Sequence, residues 1–228
     1  LTAAAAPGAF LVGWTGCQHP LGLCTVEPGG TGAVTATFGD IAIGGFGDVP
    51  VGYWAEAAIY ALRDAGITVG CGGGNYCPSG SVSRAQMAVF LERALHGVGY
   101  APPAATGLFA DVPAGYWAAT WIEALYADGV TGGCAANPLR YCPEEPVTRA
   151  QMAVFLLRAR HGQTYVPPAA TGTVFGDVPP SYWAVAWIEQ LAREGITTGC
   201  GGGDYCPDGP VARDQMAVFL SRTFLGME

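Results

Sequence analysis

The sequence predicts a mainly α-helical fold: three helix–loop–helix units in a pseudo-threefold bundle, preceded by a small N-terminal β segment. Three observations predict it. The block VSRAQMAVFLERA, starting at Val82, returns as VTRAQMAVFLLRA from Val147 and as VARDQMAVFLSRT from Val211. A second block precedes each copy: FGDVPVGYWAEAAIYALRDAGI from Phe46, FADVPAGYWAATWIEALYADGV from Phe109 and FGDVPPSYWAVAWIEQLAREGI from Phe175. Between the two blocks of each unit lies a Gly-rich or turn-rich loop bracketed by two cysteines. A fixed period of this length marks a repeated supersecondary unit. The expected divisions are a partial β segment at 1–40 and units at 46–97, 109–162 and 175–226.

The first helix of each unit follows D-V-P. Trp117, Trp121 and Leu125 fall at i, i+4 and i+8, and Trp183, Trp187 and Leu191 repeat the spacing; unit one has Trp54, Ala58 and Leu62. One helix face is the consequence, which places these aromatics in the core, with a sugar-stacking platform as the alternative. Gly66, Gly129 and Gly195 stand where a left-handed residue ends a helix.

The second helix carries its own start signal. Ser83-x-x-Gln86 and Thr148-x-x-Gln151 are capping boxes, in which the hydroxyl accepts a free backbone N–H and the Gln reaches back. Met87, Phe90, Leu91 and Ala94 then line one face, as do Met152, Phe155, Leu156 and Ala159. In unit three Ala212 replaces the hydroxyl residue and Asp214 replaces the Ala that follows the Arg in the other copies. Asp214 suits a helix N-terminus, so this start is expected to be looser or shaped for another contact. No two-helix unit can bury its apolar stripes alone. Three can do so together, second helices inward and first helices outside.

The linkers YAPPAATG and YVPPAATG read as extended tethers. The first 40 residues differ in kind: AFLVGW, CTVE and AVTATF alternate with turn residues and read as β-strands.

Eight cysteines form four local pairs, Cys17/Cys24, Cys71/Cys77, Cys134/Cys142 and Cys200/Cys206. Their spacings are wider than the C-x-x-C knuckle of zinc sites, so disulfides are expected ahead of metal. Closing loops this short stabilises by about 2–2.5 kcal/mol each. Disulfides imply an oxidising compartment and export.

Composition narrows the partners. The formal net charge is −8, and every one of the ten basic residues is Arg. Such a chain is a poor general partner for nucleic acid or an anionic membrane. No apolar run approaches the roughly 20 residues that span a bilayer. Leu1–Ala6 lacks the pattern of a signal peptide, and the sequence is expected to begin within something longer. No catalytic constellation is visible: His19, His96 and His161 stand in no triad, and no isolated carboxylate pair suggests glycosidase chemistry. His96 and His161 occupy helix C-termini, where a cation is favoured. No cofactor or metal motif is expected, although a Ca²⁺ site using Asn75 or Asp204 is conceivable in CGGGNYC and CGGGDYC.

The ordered blocks F-x-D-V-P-x-x-Y-W-A, G-[IV] and V-[STA]-R-x-Q-M-A-V-F-L resemble the S-layer homology domain in three tandem copies, over Phe46 to about Leu225. The resemblance implies a three-pronged helical spindle that anchors exported proteins to secondary cell-wall polysaccharide, often pyruvylated. It implies a ligand-binding role for Arg84, Arg149 and Arg213, the basic residue of the family's T-R-A-E-type motif. An Arg at a helix N-terminus suits a ketal carboxylate; the alternative is a solvated first-turn residue or an ion pair with Asp48, Asp111 or Asp177. Gln86, Gln151 and Gln215 replace the family's acidic residue, and Tyr53, Tyr116 and Tyr182 replace its His. These glutamines, with Trp54, Trp117 and Trp183, complete the expected binding set. The G-W-x-G-C…V-T-A-T-F stretch resembles the end of an internalin-type B-repeat. Its strands are expected to be able to pair with another copy, so a self-assembling layer or filament subunit is the alternative to a wall anchor.

Overall fold

The computed structural model describes residues 9–15, 35–40 and 45–227. Their elements run β1 (Ala9–Thr15), β2 (Thr35–Asp40), α1 (Glu56–Asp64), α2 (Arg84–His96), α3 (Ala119–Ala127), β3 (Ala135–Ala136), β4 (Leu139–Arg140), α4 (Arg149–His161), α5 (Val185–Arg193) and α6 (Arg213–Phe224). The fold is mainly helical, as expected. β1 and β2 pair antiparallel from Ala9 opposite Asp40 to Thr15 opposite Thr35, with the register shifting between Leu11 and Gly13. The expected CTVE strand and the Cys17–Cys24 pair lie outside the described residues.

Local chemistry sets the helix ends. Ser83 and Thr148 close the expected capping boxes: each hydroxyl accepts the Gln86 or Gln151 N–H at 3.3 Å, and each Gln returns to the cap N–H. Such a cap is worth about 1 kcal/mol. Gly66, Gly129 and Gly195 take φ of 69°, 73° and 72°, ending the first helices as expected. In α6, where the hydroxyl is missing, Asp214 Oδ1 accepts the Gln215 N–H at 2.7 Å, so the start is capped by a different residue.

The helices do not pack as their order along the chain suggests. α3 lies on α2, α5 on α4 and α1 on α6, while α2, α4 and α6 touch one another. Each first helix therefore covers the second helix of a neighbouring pair. Met87, Leu91, Met152, Leu156, Met216 and Leu220 are wholly buried where the second helices meet.

The strands leading into α2, α4 and α6 are tied in a cycle. Val147 N–H donates to Val82, Val82 N–H to Val211, and Val211 N–H to Val147, each at 2.9 Å. Two residues later the Arg84 and Ala85 N–H groups donate to Glu145 and Pro143, those of Arg149 and Ala150 to Gly209 and Pro207, and those of Arg213 and Asp214 to Gly80 and Pro78. Helix-start N–H groups have no intrahelical acceptor. Here the next pair's cysteine loop supplies one.

The linkers are not free tethers. Glu123 accepts N–H groups from Thr106, Gly107 and Leu108 and the Thr106 hydroxyl. Glu189 grips Thr171 and Gly172 in the same way. Tyr100 stacks on His96 and Tyr165 on His161, with ring centroids 4.2 and 4.3 Å apart. A carboxylate facing several backbone N–H groups is a strong local acceptor, and it docks each linker onto the following helix.

Candidate ligand-binding grooves

Each cysteine loop is built by the D-V-P aspartate. Asp48 accepts the N–H groups of Tyr76 and Cys77 at 2.7 Å; Asp111 does so for Tyr141 and Cys142, and Asp177 for Tyr205 and Cys206. This holds Cys77, Cys142 and Cys206 at positive φ near 58°, a conformation non-glycine residues seldom adopt. Gly70, Gly133 and Gly199 complete the turn: an added Cβ would come within 2.3, 2.4 and 2.3 Å of a loop carbonyl. The disulfides Cys71–Cys77, Cys134–Cys142 and Cys200–Cys206 are formed, as expected. Asn75 and Asp204, the conceivable calcium ligands, close their own turns through backbone bonds to Gly72 and Gly201.

Neither alternative for the three arginines describes them. They are not solvated: Arg84, Arg149 and Arg213 are only 3–5 % exposed. They form no ion pair with Asp48, Asp111 or Asp177, whose oxygens accept loop N–H groups and, for Asp111, also face Arg140 at 3.6 Å. Instead Arg84 Nε donates to the Tyr141 carbonyl at 2.7 Å, and the Tyr141 hydroxyl donates back to the Arg84 carbonyl. Arg149 and Tyr205 repeat the exchange, as do Arg213 and Tyr76. The Arg84 guanidinium also lies 4.8 Å from the Tyr141 ring and 5.4 Å from the Phe155 ring, a cation–π arrangement. Burial pulls all three guanidinium pKa values down, and burial pushes the three tyrosine hydroxyls up. Arg remains protonated under such conditions. On each of the three, Nη2 is buried and has no hydrogen-bond partner.

The nine predicted site residues come together in threes, one from each helix pair. Arg84, Gln151 and Trp183 line a groove of about 360 Å³. Arg149, Gln215 and Trp54 line one of about 380 Å³, and Arg213, Gln86 and Trp117 one of about 540 Å³. The loops Thr131–Cys134, Thr197–Gly201 and Thr68–Gly72 form the respective floors.

The core placement of three tryptophans is corrected. Trp54, Trp117 and Trp183 are 60–62 % exposed. The first helices begin two residues later, at Glu56, Ala119 and Val185, so these rings precede the helical register. Trp121 and Trp187, one turn inside, are partly buried as the period requires.

Three groove residues escaped the sequence reading: Arg158, Arg222 and Arg93, one in each groove. The signal was present, since F-L-x-R recurs in every copy. Arg93 and Arg158 lie over Trp121 and Trp187 at 5.4 and 5.5 Å. Each groove therefore concentrates two guanidinium groups in a chain of net charge −8. The histidines at the helix ends meet acids at the end of the neighbouring helix while staying about one-third exposed: His96 meets Asp128 at 2.6 Å, and His161 meets Glu194 at 2.8 Å.

These elements have counterparts in known proteins. Residues 45–88 and 174–217 match the S-layer homology domain. Each matched stretch runs from the start of its D-V-P block into the Arg-led helix. The chain is 32 % identical over 178 residues to an S-layer protein of Bacillus licheniformis, covering 78 % of this chain and 20 % of that protein. It is 31 % identical over the same length to the S-layer protein EA1 of Bacillus anthracis, again 78 % and 20 %. It is also 30 % identical over 200 residues to the exoglucanase XynX of Acetivibrio thermocellus, covering 87 % of this chain and 17 % of the enzyme. The chain thus spans about a fifth of the length of the curated relatives it matches. These matches support an extracellular, cell-surface location. No helix among the described residues is long and apolar enough to cross a membrane.

Proposed function

We propose that the three helix pairs are three S-layer homology repeats in a pseudo-threefold bundle, and that they anchor a surface protein non-covalently to acidic cell-envelope polysaccharide. One observation carries this reading: every groove gathers an exposed Trp, a Gln and two Arg from three different helix pairs. The Trp offers a sugar its flat apolar face. The guanidinium groups offer a carboxylate paired donors, and the unpartnered Nη2 of Arg84, Arg149 or Arg213 is the natural one to engage. The module is non-enzymatic on this reading; the exoglucanase relative shares only a small part of its length with the chain.

Co-sedimentation of the oxidised chain with isolated wall polysaccharide tests the proposal, beside a protein-only control. Pelleting is expected only with glycan, and is expected to be lost when Trp54, Trp117 and Trp183 are all changed to Ala. Those side chains are exposed, so the fold survives. Undiminished pelleting of the triple variant overturns the assignment of the grooves. Pelleting without glycan favours self-association through β1 and β2, which among the described strands pair only with each other. Deletion of residues 1–40 then yields monomers.

A further inference from the structure

We infer that Glu92, His96 and Asp128 form a binding site for a zinc-class divalent cation at the seam between α2 and α3. The three side chains converge: His96 Nε2 lies 2.6 Å from Asp128 Oδ2 and 3.6 Å from Glu92 Oε2, and one ligand atom of each lies within 4.8 Å of the others. Glu92 and His96 are one turn apart on α2; Asp128 caps α3.

Glu92 is the independent observation. Its side chain is wholly buried, and neither carboxylate oxygen has a hydrogen bond of ordinary geometry. The neighbouring Tyr100 hydroxyl offsets this only in part. A buried carboxylate whose oxygens lack a well-formed hydrogen bond is costly. The next seam, α4 on α5, is the internal comparison. Leu157 occupies the place of Glu92, and Arg160, where the first seam has Leu95, approaches Glu194 at 3.5 Å beside His161. There the acid is balanced by a cation of the chain itself. The first seam has one more acid and no such arginine.

The donor set fits. One imidazole and two carboxylates suit Zn²⁺, which binds them at about 2.0–2.2 Å and keeps a fourth position for water. Tetrahedral ligand atoms then stand about 3.3 Å apart, so the His96–Asp128 contact opens by less than 1 Å and the His96–Glu92 contact closes slightly. The cation takes the place of the proton between Nε2 and Oδ2. His96 and Asp128 are about one-third exposed, which gives an entry path, while Glu92 closes the base. The Tyr100 ring, stacked on His96, orients the imidazole. A filled site bolts α2 to α3.

Isothermal titration of ZnCl₂ into the oxidised, untagged, chelator-stripped chain tests this directly. One zinc per chain is expected. Glu92→Leu, which installs the residue of the second seam, is expected to weaken binding by at least about tenfold while far-UV circular dichroism and the melting curve show it folded. His161→Ala is expected to leave binding unchanged. Absence of a stoichiometric event in the unaltered chain, equal affinity in Glu92→Leu, or an equal loss in His161→Ala each overturns the site.

Discussion

The Tyr53 hydroxyl donates to Asp214 Oδ2 at 2.7 Å, joining residues 161 positions apart. Tyr116 and Tyr182 find their acids locally, at Glu144 and Asp208 beside the cysteine loop of their own unit. Unit one has Ser79 in that place. Asp214 therefore answers two absences at once: the missing acid at 79 and the missing hydroxyl at 212. The same oxygen also accepts the Trp54 indole N–H at 3.2 Å while Oδ1 accepts the Gln215 N–H, so one carboxylate caps α6 and fixes the tryptophan of a groove.

Asp214→Ala is therefore expected to destabilise the chain by about 2–3 kcal/mol, the sum of one helix cap and one or two hydrogen bonds to a charged acceptor. Adding Ala212→Thr is expected to restore about 1 kcal/mol by rebuilding the cap. Urea unfolding checks both. Asp208→Ala, which removes a more exposed acid from Tyr182, is expected to cost under about 1 kcal/mol. An equal cost for Asp208→Ala would show that the double role of Asp214 has no energetic consequence.

Glu189 predicts an acid limb of stability. Burial works against its charge, but the N–H groups of Thr171, Gly172 and Thr173 and the Thr171 hydroxyl together outweigh it, so its pKa lies below the usual carboxylate value. The corresponding stability is present above about pH 4.3, the unfolded pKa, and is lost as pH falls through the folded one. Glu189→Gln is expected to flatten that limb, to cost about 1–3 kcal/mol at neutral pH and to speed hydrogen exchange at Thr171 and Gly172. Unchanged exchange there would mean that the linker is held by Tyr165 alone.

Glu92 has the opposite sign. Burial, with the Asp128 charge adding to it, raises its carboxyl to about 8. In the metal-free chain the fold keeps a proton that the unfolded chain gives up, so the contribution of Glu92 is fully present below about pH 4.5 and is lost as pH rises towards 8. The fall is on the order of a few kcal/mol. Glu92→Leu is expected to remove the slope and to raise the melting temperature in EDTA at alkaline pH. A slope that survives the substitution would assign it to another group.

Much of this was legible in the sequence, and what was not has physical reasons. The capping boxes, the apolar faces of the second helices and the cysteine pairs within each repeat are local, and each shows in a span of a few residues. Arg84 reads as a surface residue because its partner, Tyr141, is 57 positions away. Trp117 reads as core because its i, i+4 spacing to Trp121 begins two residues before the helix does. The linkers read as free because a tether shows its composition, whereas its acceptor, Glu123, lies in the next helix. The nine groove residues come from the family resemblance, but their grouping across three helix pairs follows from the packing of each first helix on a neighbour's second helix.

The cycle of hydrogen bonds through Val82, Val147 and Val211 has an arithmetical consequence. A stacked array of repeats has ends and can grow by one; a closed circuit has none. A fourth copy would find no vacant donor or acceptor, and excision of one copy would strand both of its neighbours. On this circuit each of the three segments depends on both of the others for its valine pairing.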